Sequence, residues 1–182
     1  MGSVFLASGG RRVQHASAEG QGNDAALRDE IEHLKQKATD QSHVMTSVAY
    51  HFNNLWFAGQ HDNWPLAGFY LNETRSHLRW AVRVIPVRKG AAGQDIDLRP
   101  ILESLENSAL EQLDLSIKSR EAGKFVHAYR FMLEGCRGCH ATSEKPFIRV
   151  RIPTQPAESM VDFEPPPEQE TGTGLEPAKK NR

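Results

Sequence analysis

The chain has 182 residues, 22 Lys+Arg against 23 Asp+Glu, and a formal net charge of −1. That length suits one domain and a tail, with a core able to form without disulfide staples. The balanced charge gives no basis for nucleic-acid binding, and no run of about 18 apolar residues exists to span a membrane.

Residues 1–23 are mostly Gly, Ser, Ala, Arg and Gln, a composition that reads as a disordered leader. Their short apolar patch, Val4 to Ala7, lacks a basic stretch before it and is too short for a signal-peptide core. Leu6 stands where myristoylation wants Ser or Thr. Residues 24–41 read as an amphipathic helical extension, with Leu27, Ile31 and Leu34 at helical spacing. It is a coiled-coil arm or a solvated leader, and packing of such helices would allow a homodimer.

Residues 42–145 read as all-α, with four helices near 42–58, 64–84, 98–120 and 122–139. The first carries Val44, Met45, Val48, Phe52, Leu55 and Trp56, and Gly59 suits its end. Asn63 can cap the second, with Pro65 in its first turn and Leu66, Phe69, Tyr70, Leu78 and Val82 along it. "RKGAAGQDID" reads as a loop, and no strand pattern competes anywhere in the block. Asp97 caps the third helix, whose stripe is Ile101, Leu102, Leu105, Leu110, Leu113, Leu115 and Ile117. Gly123 breaks the chain before the fourth, which holds Phe125, Val126, Tyr129, Phe131, Met132 and Leu133. Short links favour an antiparallel up-down-up-down four-helix bundle. Residues 146–182 form a Pro-rich extended tail, in which only Phe147, Ile148, Val150 and Ile152 suggest a segment packing back.

Both cysteines lie in "EGCRGCHAT", as Cys136 and Cys139, with His140 directly after. A disulfide within C-x-x-C would staple little of the domain. A thioredoxin-like dithiol wants a strand before the motif, and here a helix precedes it. Structural zinc wants four ligands, whereas this motif offers three, two of them adjacent. Covalent haem fits best: two thiols add to the porphyrin vinyl groups, and the adjacent histidine reaches the iron.

An antiparallel bundle with C-x-x-C-H near the end of its last helix resembles the class II c-type cytochromes, whose name-giving member is cytochrome c-prime. The resemblance covers residues from about 40 to 145. "HFNNLWFAGQHDNWPLAGFYLNETRSHLRW" also looks like a stretch of uncharacterised bacterial haem-motif proteins of this shape. The resemblance implies one covalent haem c, with Cys136 and Cys139 as thioether anchors and His140 as proximal iron ligand. It also implies a periplasmic location, for which this chain shows no clear signal peptide. A redox partner protein would follow, unnamed by the sequence.

The sixth iron position, in the family, comes from early in the first helix. His43, Met45 and His51 are the candidates. Counting back from Gly59 by the length of the fourth helix reaches Met45, which shares the face of Val48, Phe52 and Leu55. Met45 is therefore the expected distal ligand, with a plain core role as its alternative. His51 is an alternative ligand or a haem contact. Trp56, Trp64 and Trp80 read as packing residues. His15, His33, His61, His77 and His127 read as surface or hydrogen-bonded histidines. Arg75, Arg79, Arg83 and Arg88 read as a solvated basic face. The leading function is single-electron transfer by a His/Met-ligated haem, and no enzyme activity is expected. Alternatives are a five-coordinate gas-binding or sensing haem, and a zinc-stabilised bundle without haem.

Overall fold

The computed structural model describes residues 23–34, 40–158 and 160–167. The chain divides into two units, Met1–Thr39 and Asp40–Arg182. In the first, residues 23–34 form helix α1, with Leu27, Ile31 and Leu34 exposed. The helical reading of the extension holds that far. Residues 35–39 of it, and the leader before residue 23, lie outside the described residues, while Asp40 and Gln41, expected to end it, instead start the next helix.

The second unit is mostly helical. Helix α2 spans Gln41–Gln60 and starts where the Asp40 carboxylate accepts the His43 N–H at 3.0 Å. The Ser42 hydroxyl, then that N–H, hold the Asp40 carboxyl below the usual range. Val44, Val48, Phe52 and Leu55 recur every three or four residues and form its buried face. Gly59 lies inside the last turn rather than after it. A Cβ there would fall within the Phe125 ring, so close packing explains this glycine. The turn itself is made by Asp62, at φ 55°.

Helix α3 spans Trp64–Val84, capped by the Asn63 side chain on the Leu66 N–H at 3.2 Å, with Pro65 in its first turn. Its buried stripe is Ala67, Tyr70, Leu71, Thr74, Leu78 and Ala81. The expected stripe named Tyr70 and Leu78 correctly but included Phe69, which is exposed. Ala67, Thr74 and Ala81 keep part of this face small, and α2 packs along α3. The Thr74 hydroxyl satisfies itself on the Tyr70 carbonyl at 2.8 Å.

The segment read as a loop without strands is instead a short hairpin. Strand β1 (Val87–Lys89) pairs antiparallel with β2 (Asp95–Asp97), Arg88 opposite Ile96. Gly93 at φ 83° and the Gly90 N–H on the Gln94 carbonyl close the turn. Three-residue strands leave too little alternation to be seen in sequence. Asp97 ends β2 and still accepts the Arg99 N–H at 3.0 Å, so it serves the next helix from outside it.

The expected third helix is α4 (Arg99–Leu105) and α5 (Glu111–Ser119), joined by a π turn at Glu106–Leu110. The π turn has a sequence cause. Leu105 and Leu110 are five residues apart, and a wider turn brings them to one side. Downstream, Ala109, Leu110, Leu113 and Ile117 are buried, while Leu115 is exposed. Arg120 at φ 55°, not Gly123, breaks the chain; Gly123 sits within helix α6, Ala122–Thr142.

The core gathers around Leu55, Leu71, Leu110, Leu113, Phe125, Tyr129 and Met132. Phe125 meets Gly59, and Tyr129 stacks on Phe52, so α6 runs opposite in direction to α2 where they touch.

Residues 146–158 and 160–167 are not a free tail. They carry no helix or strand, yet they strap across α6 and α2. The Arg137 guanidinium donates to the Val150 carbonyl at 2.8 and 3.1 Å. The Ala157 N–H donates to the Asn53 and Asn54 side chains, and the Tyr50 hydroxyl to Glu158 at 2.9 Å. Phe163 is buried against Phe57, His61 and Tyr70. Of the expected packing segment, Val150 and Ile152 reach the core, while Phe147 and Ile148 are exposed. Residues 168–182 lie outside the described residues.

Candidate functional site

Helix α6 carries the cysteine motif in its last two turns. Phe125, Tyr129, Met132 and Cys136 follow each other at helical spacing, so Cys136 continues the buried stripe and packs against the core. Cys139 and His140 flank that stripe and are half-buried. Both thiols are free. Burial, then the neighbouring Cys139, pushes the Cys136 thiol up to about 12. Burial also raises Cys139, against a hydrogen bond from Ser143. Both groups are therefore protonated at neutral pH. A buried protonated thiol is a poor redox nucleophile and a poor thiolate ligand.

His140 is the oriented member of the motif. Its Nδ1 lies 3.3 Å from the Ile148 carbonyl oxygen. A carbonyl only accepts, so Nδ1 carries the proton and Nε2 keeps its lone pair. That is how metal-binding histidines are commonly held. The tether depends on the turn after α6, where the Ile148 N–H bonds the Lys145 carbonyl at 3.0 Å. Glu144 caps this end from the hairpin: its carboxylate accepts the Ala91 N–H and the Gln94 amide.

Haem fits this donor set. Two unpaired thiols lie one turn apart on one helix, beside an imidazole whose other nitrogen is occupied. Zinc in the same place fits less well. Among the described residues, Cys136, Cys139 and His140 do not form a group of closely converging metal ligands.

The histidines and methionine of α2 separate in space. His43 is exposed, its side chain 75% accessible, and pairs with Asp40 at 3.1 Å. Met45 is half-buried and packs against the core cluster, as Cys136 does. The pairing of Gly59 with Phe125 and of Phe52 with Tyr129 runs toward Met45 on α2 and toward Cys136 on α6. His51 faces α3 instead. Its ring lies 4.8 Å from that of His77, and its Nε2 is 3.9 Å from Glu73 Oε2. Burial, then His77, lowers the His51 pKa.

The remaining candidates have packing roles. Trp56 lies against Phe125 and Tyr129, and Trp64 meets Phe125 edge-on. Trp80 is exposed and touches His77. Arg79 pairs with Glu106, Arg75 reaches the Leu110 carbonyl, and Arg88 holds Gln41. His61 pairs with Glu164 at 2.7 Å and His33 with Glu30 at 3.9 Å. His127 is exposed beside a surface cleft, and His15 lies outside the described residues.

Sequence reasoning missed three features of this region. These are the Ile148 carbonyl behind His140, the Arg137–Val150 latch, and the meeting of His51 with Glu73 and His77. Only the last had a signal, since Glu73 and His77 are four apart on one helix. Comparison with known protein families, curated proteins and solved structures gave no match.

Proposed function

We propose that the chain is a haem c protein of the class II type, an electron carrier rather than an enzyme. The observation that carries this reading is the C-x-x-C-H motif at the end of α6, with His140 held through Nδ1 on the Ile148 carbonyl. Cys136 and Cys139 would hold the porphyrin through thioethers, and His140 Nε2 would take the proximal iron position. When bound, the haem supplies a reversible one-electron couple at its iron. The protein's own part is to hold the imidazole in one tautomer and exclude water with the core stripe of α6.

The bundle reading belongs with this proposal. We read α2, α3, the α4–α5 pair and α6 as an up-down-up-down bundle. The opposed directions of α2 and α6 support it. In that arrangement Met45 stands at the level of the motif and serves as the distal ligand, giving a low-spin His/Met haem. Haem c attachment in bacteria also carries a periplasmic location with it. Arg130, Arg137 and Arg151 line a cleft beside the motif-bearing end of α6. Their charge favours an acidic face on the redox partner.

The visible and near-infrared spectra of protein made with the c-type maturation machinery test the ligation. A low-spin spectrum with the weak near-infrared methionine–iron(III) band, lost in Met45→Ala, is the expected result. A high-spin haem that binds carbon monoxide readily, unchanged in Met45→Ala, would replace electron transfer by gas binding.

A further inference from the structure

We propose that His51, Glu73 and His77 form a second metal site, separate from the cysteine motif, that takes one divalent transition-metal ion such as zinc. One ligand atom from each of the three lies within 4.8 Å of those from the other two. Among the described residues no other group of three such side chains converges this closely.

The fold brings them together by simple means. Glu73 and His77 are one turn apart on α3, so their side chains share a face. His51 comes from α2, which packs along α3. The donor set is two imidazoles and one carboxylate. That set binds zinc and other first-row ions while leaving a position open to water or a small ligand. A tetrahedral zinc ion needs its donors about 3.4 Å apart, given bonds of about 2.0–2.1 Å. His51 Nε2 already stands 3.9 Å from Glu73 Oε2, and the His77 ring lies 4.8 Å from the His51 ring.

Two further observations concern which ring nitrogens are available to an ion. His51 Nδ1 is buried and has no hydrogen-bond partner among the described residues, so no acceptor there fixes the tautomer of this ring and Nε2 is free to keep its lone pair. His77 Nδ1 lies 2.8 Å from the Glu73 carbonyl oxygen, so it carries the proton and leaves Nε2 free as a ligand. The walls are aromatic: Tyr50 and Tyr70 lie against His51, and Trp80 against His77. The side chains of His51 and His77 are only 16% and 20% accessible. An ion here is half-shielded from water, and the single Glu73 carboxylate offsets part of its charge.

This proposal does not rest on haem. The experiment uses the full chain, freed of metal with a chelator and titrated calorimetrically with zinc chloride. Four proteins are compared: wild type, Glu73→Gln, His77→Ala, and the double variant Cys136→Ser/Cys139→Ser. Circular dichroism confirms that each is helical. Wild type and the cysteine double variant should bind one zinc per chain with equal affinity. Glu73→Gln and His77→Ala should each lose about 100-fold. Cobalt(II) on wild type should give the visible bands of a four- or five-coordinate nitrogen–oxygen site, without a sulfur charge-transfer band. Absence of stoichiometric binding overturns the proposal, as does zinc affinity lost only in the cysteine variant. Loss of haem attachment in the cysteine variant, with zinc binding kept, would leave the two sites distinct.

Discussion

The Tyr129 hydroxyl donates a hydrogen bond of 2.9 Å to the Phe52 carbonyl, and the two rings stack with centroids 4.3 Å apart. This clasp fixes the register of α6 against α2 where the two helices touch. Tyr129→Phe keeps the stack and loses one hydrogen bond. It should cost about 1 kcal/mol in denaturant unfolding of the haem-free protein. Tyr129→Ala removes the ring from the core and should cost about 3–5 kcal/mol. Equal losses in the two variants would mean that the ring contributes nothing.

Two glycines on helices should respond in opposite directions. Gly59→Ala puts a methyl into the Phe125 ring. Overpacking of about 1–3 kcal/mol should outweigh the helix-propensity gain of about 1 kcal/mol. Gly138 meets nothing within 4 Å of its would-be Cβ. Gly138→Ala in the haem-free chain should therefore stabilise α6 by about 0.5–1 kcal/mol. Thermal melts of the two variants check the signs.

The Cys136 thiol, pushed up to about 12 by burial and then by Cys139, sets a pH dependence. The ordinary thiol value is about 8.5. The folded state thus holds this proton more tightly than the unfolded chain. The stability it contributes is fully present below about pH 8.5 and is lost as pH rises toward 12. In the folded haem-free protein, iodoacetamide should modify Cys136 at pH 8 at least about 100-fold more slowly than in urea. Equal rates would show that the thiol is neither buried nor raised.

How much of this was legible beforehand depended on the kind of signal. The four main helices were readable because Val44, Val48, Phe52 and Leu55, or Leu110, Leu113 and Ile117, repeat at helical spacing. Asn63 and Pro65 marked a helix start by local chemistry alone. The hairpin was hidden because three-residue strands have almost no period. The π turn is missed when the five-residue step from Leu105 to Leu110, which breaks the α-helical stripe, is read as part of one continuous helix. The strap was hidden by composition, since Phe163 stands among prolines and glutamates and its anchors lie about a hundred residues earlier. Cys136 and Cys139 were visible as a motif. The Ile148 carbonyl that orients His140 carries no residue identity, so no sequence pattern could reveal it.

The strap yields a further prediction. Phe163 is 8% accessible and fills the space between Phe57, His61 and Tyr70. Phe163→Ala should destabilise the unit by about 2–3 kcal/mol, below the range for a central phenylalanine because the strap can settle. Truncation after Ile152 should lower the melting temperature too. It keeps Ile148 and Val150, so it should leave haem attachment intact. A truncated chain that folds but fails to hold haem would show that the strap belongs to the site.

Covalent attachment itself is the most direct test of the account. The full chain is produced with the c-type maturation machinery, denatured and extracted with acidified acetone, and its intact mass is measured. The account predicts that colour stays with the protein and that the mass rises by one haem. Cys136→Ser/Cys139→Ser made in the same cells should show neither. A wild-type protein that is colourless, or that releases all its haem to the solvent, would contradict it.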